Sequence, residues 1–427
     1  MITVIGTGTG TGTGGGPGGG ARGPADPADL AGATLVVGAR RHLAAARVPD
    51  GAETVVLGPL APALDAVEAH LAGDGSRVVV LASGDPGFFG IVRALAERFG
   101  PERLRVRPSV PSVAAAFARA GLPWDDAAVV SAHGRDPRTA VNVCRAHPKT
   151  AVLTGPGAGP AELGAALARC GAPRTLVVAS DLGGPGERVE HVTPAEAAGR
   201  SWEAVSVVLC LDQGRALAPA QRALAGPARE SAPWALPEEE FAHRDSMVTK
   251  FEVRALALAR LGPRAGELVW DVGAGSGSVA VECARLGAAA VAVEKSADGA
   301  GRVRANAAAH GVDVEVVHGA APGALDALPD PDAVFVGGGG RELPEIVTAC
   351  ARRARRTVVV TLAALDRVPA VRAALAECGL APDGVLLQSS RLAPLPGDAV
   401  RLAATNPVFV LWGTRPASAP SPQGALS

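Results

Sequence analysis

Residues 269–282 read Val269-Trp-Asp-Val-Gly-Ala-Gly-Ser-Gly-Ser-Val-Ala-Val-Glu282. An apolar strand runs here into Gly273, Ala274, Gly275, Ser276 and Gly277, and then into an amphipathic helix. Glycines at that turn let the backbone approach a ligand closely, and the helix N-terminus adds a positive end. Glu294 ends the next apolar run, where a carboxylate can accept both hydrogen bonds of a ribose diol. Strand, loop, helix and acid fall in register for nucleoside binding.

Two cofactor classes use this design. A dinucleotide site asks for G-x-G-x-x-G, but position 278 is serine. It also asks for an all-parallel sheet, whereas the runs 384–390 and 407–412 follow each other with no helix long enough for a crossover. S-adenosylmethionine sites accept G-x-G-x-G and that closing antiparallel pair, so this cofactor is expected. The acceptor is expected to be large. After the fourth strand the chain reads Asp332-Ala-Val-Phe-Val-Gly-Gly-Gly-Gly-Arg341, which lacks the Pro-Pro-aromatic clamp of amino-methylating enzymes and clears room instead.

These loops require a strand–helix framework. The chain has 427 residues, 48% hydrophobic and 19% charged, enough for two or three domains with real cores. A net charge of −1 argues against a protein built to hold a phosphate backbone. Only Lys149, Lys250 and Lys295 are lysines, so arginine supplies nearly all the basic charge. Six scattered cysteines offer no metal-ligand spacing, so no metal is expected and they read as core residues of a reduced, cytoplasmic protein. No apolar run is long enough to span a membrane.

Apolar runs at 2–5, 35–37, 78–81, 129–130, 151–153, 176–179 and 205–211 predict buried strands with helices between them, hence a mostly parallel sheet. A second set follows at 268–272, 290–294, 313–318, 333–336 and 357–361. The expected division is one domain over 1–213, a linker over 214–233 rich in Ala, Pro, Arg and Gly, a second domain over 234–415, and a disordered tail over 416–427.

In the second domain, Glu238-Glu-Glu-Phe-Ala-His-Arg-Asp-Ser-Met-Val-Thr-Lys-Phe-Glu-Val-Arg254, the 271–277 loop, Gly319-Ala-Ala-Pro322 and the Phe335-Val-Gly-Gly tract resemble the decarboxylating precorrin-6B methyltransferases. The resemblance spans about 236–413 and implies a Rossmann-like class I S-adenosylmethionine methyltransferase fold. It also implies that Thr249, Gly273 to Gly277, Glu294 and the Gly319, Ala320 and Ala321 backbone line the cofactor site. In the first domain, Val78-Val-Val-Leu-Ala-Ser-Gly-Asp-Pro-Gly-Phe-Phe-Gly90 resembles the tetrapyrrole methylases, as do 108–124, 130–135 and 152–155. That fold has two α/β lobes, and its cofactor motifs match Gly84, Asp85, Pro86, Phe89, Ser112 and Thr154. Fused, the halves resemble the bifunctional precorrin C5,15-methyltransferases (decarboxylating), which implies one S-adenosylmethionine per domain.

The resemblance further implies a small-molecule tetrapyrrole substrate carrying many carboxylates, and a homo-oligomer. Meso carbons of such a ring are enamine-like and need alignment more than a strong base. Guanidinium forks would hold the carboxylates, with Arg40, Arg41, Arg135, Arg244 and Arg341 as candidates. His243 and Asp245 are candidates for proton delivery or carboxylate positioning during decarboxylation, and Asp245 equally suits a helix cap. The tract from Gly6 to Gly23 departs from the family's short glycine loop and has almost no helix propensity. Two other functions compete with this reading. A first domain that only docks the tetrapyrrole fits the glycine tract, whereas an RNA methyltransferase would need a basic surface and a Pro-Pro-aromatic clamp, and neither is present. Neither nucleic acid nor membrane is an expected partner.

Overall fold

Short runs rich in Val, Ile and Leu, apolar on both faces, can lie only in sheets covered on both sides. The computed structural model describes residues 1–8, 27–171, 173–203, 205–217, 225–226, 235–243 and 248–416. Most of the glycine tract, Arg244, Asp245, most of the expected linker and nearly all of the tail lie outside the described residues.

The first sheet contains β1 (Ile2–Thr7), β2 (Leu35–Gly38), β3 (Glu53–Val56), β4 (Val78–Ser83) and β5 (Leu104–Arg107), in the order β3-β2-β4-β1-β5 and parallel throughout. The second contains β6 (Ala128–Ser131), β7 (Lys149–Leu153), β8 (Thr175–Ser180), β9 (Arg188–Val192) and β10 (Ser206–Leu211), in the order β6-β7-β10-β8-β9. Here the expectation of a mostly parallel sheet fails. Only β6 and β7 run parallel; β10 is antiparallel to β7 and β8, and β9 is antiparallel to β8. The loop from β8 to β9 has no helix, so it cannot make the crossover a parallel pair needs.

The third sheet contains β11 (Leu268–Val272), β12 (Ala289–Glu294), β13 (Val314–His318), β14 (Ala333–Val336), β15 (Thr357–Leu362) and β16 (Ala381–Leu387). A separate hairpin follows, β17 (Ser390–Pro394) with β18 (Val400–Ala404), before β19 (Val408–Thr414) returns to the sheet. The order is β13-β12-β11-β14-β15-β19-β16, with β19 antiparallel to both neighbours. The closing antiparallel pair is therefore present, with a hairpin inserted between its strands. Apolar clusters cover both faces of this sheet, one around Trp270, Val334 and Val360 and one around Val269, Phe335 and Val359. Four of the six cysteines are buried, and none is disulfide-bonded. Among the described residues no helix is long and apolar enough to cross a membrane, and no cluster of side chains could hold a metal ion.

The second and third sheets meet through charge. Helix Pro137–Ala146 and the residues flanking β8 and β10 lie against the edge where the third sheet's strands begin. Arg138 donates to both carboxylate oxygens of Asp332, at 2.9 and 2.7 Å, and to the Asp330 carbonyl at 2.9 Å. Arg145 reaches Glu315 at 2.6 Å, and the Asn142 amide donates to the Gly266 carbonyl at 3.1 Å. One oxygen of Asp313 accepts from Arg174 and Arg215, both at 2.6 Å. The Arg174 side chain is fully buried, so a fixed partner is what makes its burial tolerable.

The tightest backbone approach lies in the first sheet. A Cβ added at Gly6 would stand 2.1 Å from the Gly84 carbonyl oxygen and 2.6 Å from the Ser109 nitrogen. No side chain fits there. Gly6→Ala is expected to destabilise the protein by about 3 kcal/mol, the upper end for overpacking. Gly301→Ala, inside helix Ala297–Ala309 with nothing within 4 Å, is expected to stabilise it by up to about 1 kcal/mol. Urea denaturation of both variants checks the contrast, and similar midpoints would refute it.

Candidate functional site

Parallel strands all end on one edge, and the third sheet gathers its glycine loops there. Gly273, Gly275 and Gly277 have φ of +74°, +58° and +74°, the left-handed region that favours glycine. They differ in what they face. A Cβ at Gly277 would strike Val303 at 2.7 Å, so that glycine serves helix packing. Gly275 faces open space, with nothing within 4 Å of an added Cβ. Beside it, Glu294 is buried at the end of β12, and its two carboxylate oxygens accept from the Gly275 N–H at 3.0 Å and the Ser296 N–H at 2.9 Å. Each oxygen keeps a lone pair, which suits a diol. Gly299 makes room for this side chain, since a Cβ there would lie 2.6 Å from Glu294 Cγ. The Gly319 N–H donates to the Glu294 carbonyl at 3.0 Å, so the turn carrying Ala320 and Ala321 borders the same loop. The Gly337 N–H donates to the Val272 carbonyl at 2.9 Å and lays the four-glycine tract against Gly273; Arg341 follows it, exposed. This open, acid-flanked cradle fits the nucleoside end of S-adenosylmethionine.

Residues 236–243 and 248–250 are held beside the loop by buried polar groups. Asn306 donates to the Ala242 and Ser276 carbonyls at 3.0 and 2.7 Å and accepts from the Ala242 N–H at 2.8 Å. His243, the next residue, is exposed there. Arg254 is wholly buried, bonds Glu282 at 3.2 Å and the Thr249 carbonyl at 2.6 Å, and also reaches the Leu236 carbonyl. Glu282 in turn accepts from the Leu236 N–H at 2.6 Å.

In the first half, Gly84 has φ +61° and its N–H donates to the Thr7 carbonyl at 2.8 Å. Its Cα faces Pro111 and Ser112, the latter opening helix Ser112–Ala120. Asp85 accepts from the Gly87 N–H at 2.8 Å, and Pro86 from Val92 at 3.2 Å, which stiffens the turn. Phe89 is 51% exposed at φ +53°, a conformation bulky residues rarely hold. Thr154 is buried, and its hydroxyl donates to the Ser206 carbonyl at 2.7 Å and accepts the Ser206 N–H at 2.9 Å, tying β7 to β10. Arg41 donates to Ser83 at 2.7 Å just before Gly84, while Arg40 and Arg135 are exposed.

The comparisons with known proteins follow these halves. The family described as tetrapyrrole (corrin/porphyrin) methylases matches residues 29–198, and the precorrin methyltransferase domain family matches 239–403. A precorrin-6Y C(5,15)-methyltransferase (decarboxylating) from Sinorhizobium sp. is 38% identical over 325 residues, covering 73% of this chain and 74% of that protein. The chain belongs to this family. A relative of the same name from Mycobacterium tuberculosis is 36% identical over 75% of this chain and 78% of its own length. The crystal structure of a precorrin-6Y C5,15-methyltransferase from Geobacter metallireducens is 30% identical and covers 43% of this chain and 96% of its own, with a TM-score of 0.40. The chain is accordingly an S-adenosylmethionine-dependent C-methyltransferase of the decarboxylating precorrin family, with a tetrapyrrole substrate.

Several residues that shape these sites escaped the sequence. His42 lies 3.0 Å from the Ser83 hydroxyl, and burial, reinforced by Arg41, lowers its ring to about 4, so it is neutral at pH 7. Arg391, on the inserted hairpin, donates to Glu238 at 2.8 and 2.7 Å and to Glu252 at 3.0 and 2.7 Å, and so pins that hairpin to Glu238 and to helix Phe251–Leu261. Asp271 stood in the glycine motif without a role. It is buried, accepts from the Ala280 N–H at 3.0 Å through one oxygen, and its other oxygen has no partner among the described residues. A lone acid in an otherwise apolar strand was its available signal. Burial pushes its carboxyl up to about 7, with Glu294 nearby adding to the rise.

That shift has a sign. The folded protein keeps a proton on Asp271 over a range where the unfolded chain, with a carboxylate near about 3.9, has released it. Stability is therefore expected to fall as pH rises from about 4 to about 7, by on the order of a few kcal/mol, and to level off above. Asp271→Asn should flatten that slope. Denaturant midpoints of both proteins at pH 4.5, 6 and 8 check it, and parallel curves would refute it.

Proposed function

We propose that the chain methylates precorrin-6B at C5 and C15 and removes the carboxyl of its C12 acetate, giving precorrin-8X in cobalamin biosynthesis. The observation that carries this is duplication. Two glycine-built turns, Gly84-Asp85-Pro86 and Gly273 to Gly277, each follow a strand that runs parallel to its neighbours, in two separate sheets. Residues 1–213 are assigned C5 methylation, and residues 234–415 are assigned C15 methylation with decarboxylation, joined by 214–233. Each half binds one S-adenosylmethionine, as a homo-oligomer in the cytoplasm, without nucleic acid; the near-zero net charge supports the last point.

When bound, S-adenosylmethionine supplies a sulfonium methyl whose carbon bonds to the ring carbon as its C–S bond breaks. The protein's part is alignment, worth several orders of magnitude in rate. Glu294 orients the ribose, and the Gly273 to Gly277 backbone lets the cofactor lie close. Thr249, held through its carbonyl by Arg254, borders it, as do Gly319, Ala320 and Ala321. In the first half, Gly84, Asp85, Pro86, Phe89, Ser112 and Thr154 form or brace the equivalent wall. Arg40, Arg41, Arg135, Arg244 and Arg341 receive substrate carboxylates. Departure of carbon dioxide leaves its bonding electron pair in the conjugated ring, which later takes a proton; His243 and Asp245 are assigned to that proton or to holding the carboxylate.

Calorimetric titration with S-adenosylhomocysteine is expected to give two sites per chain. Glu294→Ala should weaken one by about 10- to 100-fold, the value of charge-assisted bonds to a diol, and leave the other unchanged. Incubation with precorrin-6B should add two methyl groups and remove one carbon dioxide by mass. A single site, or one methyl gain, would refute the bifunctional assignment.

A further inference from the structure

The seam between the halves uses the wrong ends of both sheets for a direct hand-over. On the second half, Gly266, Asp313 and Asp332 sit just before β11, β13 and β14, whereas the glycine loops and Glu294, which ends the parallel neighbour β12, lie at the opposite edge of the same sheet. On the first half, Arg174 immediately precedes β8 and Asp212 immediately follows the antiparallel β10, with the Asp212 N–H bonded to the Pro148 carbonyl before β7. Thr154 and Ser206 lie at the other end of the same strands. The halves therefore dock back to back.

We propose that the two active sites open at opposite ends of the chain, so that the singly methylated tetrapyrrole leaves one site and reaches the other through solvent. This rests on the two-site function proposed above and holds for either order of methylation. Between the sites stand β7 and β11, five residues each, together about 30 Å of buried strand. The seam is too well filled for a passage. Asn142 and Arg174 are buried in it, and a Cβ on Gly266 would lie 2.9 Å from Thr139. A bidentate Arg138–Asp332 pair and the shared Asp313 also resist hinge opening, since separating them exposes several charges from fixed partners at once.

The test uses the full chain and two single-site variants, Gly84→Val and Gly275→Val, with Glu294→Ala as a substitute should the second fail to fold. Retention of S-adenosylhomocysteine binding by the other half shows that a variant is folded. Precorrin-6B and excess S-adenosylmethionine are supplied, and protein-free filtrates are followed by mass spectrometry. The expected result is free singly methylated intermediate during wild-type turnover and a lag before the doubly methylated product. An equimolar mixture of separately purified variants should form that product within about twofold of the wild-type rate. Wild-type turnover without lag or free intermediate, with the mixture stalled after one methylation, would overturn the proposal. Absence of any methylated product from the wild-type protein would instead overturn the function on which it rests.

Discussion

Strands of a parallel sheet all finish on one edge, so their loops converge there whatever their sequences. Both turns proposed to bind ligand depend on that constraint. Gly84 follows β4 beside Thr7 at the end of β1, and Gly273 follows β11 between Glu294 of β12 and Gly337 after β14. The constraint also frees the opposite edge of the third sheet. Its strand starts present carboxylates, Asp313, Glu315 and Asp332, and arginines of the first half fill them. The proposed ligand site and the contacts to the first half thus use different ends of one sheet.

Burial of charge then fixes what lies beside the Gly273 to Gly277 loop. Arg254 and Glu282 are almost fully enclosed, and each also bonds the Leu236 backbone, Arg254 reaching the Thr249 carbonyl as well. Such a pair adds little net stability against an apolar replacement of the same shape, yet losing one partner costs about 3–5 kcal/mol. Its role is positional: it sets where Thr249 stands. Asn306 does the same for Ala242 and so for His243. Asp271 differs, because it is enclosed without a cation and therefore holds its proton up to about neutral pH.

Much was legible in the sequence. The runs at 268–272 and 333–336 coincide with β11 and β14, because strands buried on both faces are apolar at nearly every position, Asp271 being the exception. The turn Gly273 to Gly277 was legible because left-handed backbone next to a strand end demands glycine. Several strands with mixed burial were not. β3, β5 and β9 place Glu53, Arg105 and Arg188 among their apolar residues, and the inserted hairpin of β17 and β18 leaves Leu392 and Leu402 exposed, so none shows a continuous apolar run.

The sequence by itself determined the two sets of strands, the two glycine turns and the acid Glu294, since period and turn chemistry are local properties. Only the tertiary structure decided which charges pair. Arg138, Arg145 and Arg174 look in sequence like any other arginine of an arginine-rich chain, but they bind carboxylates more than a hundred residues away. His42 became a neighbour of Ser83 in the same manner, through the pairing of β2 with β4. Electrostatic partnership depends on distance in space, and that distance is set by how sheets stack and dock, not by any spacing along the chain.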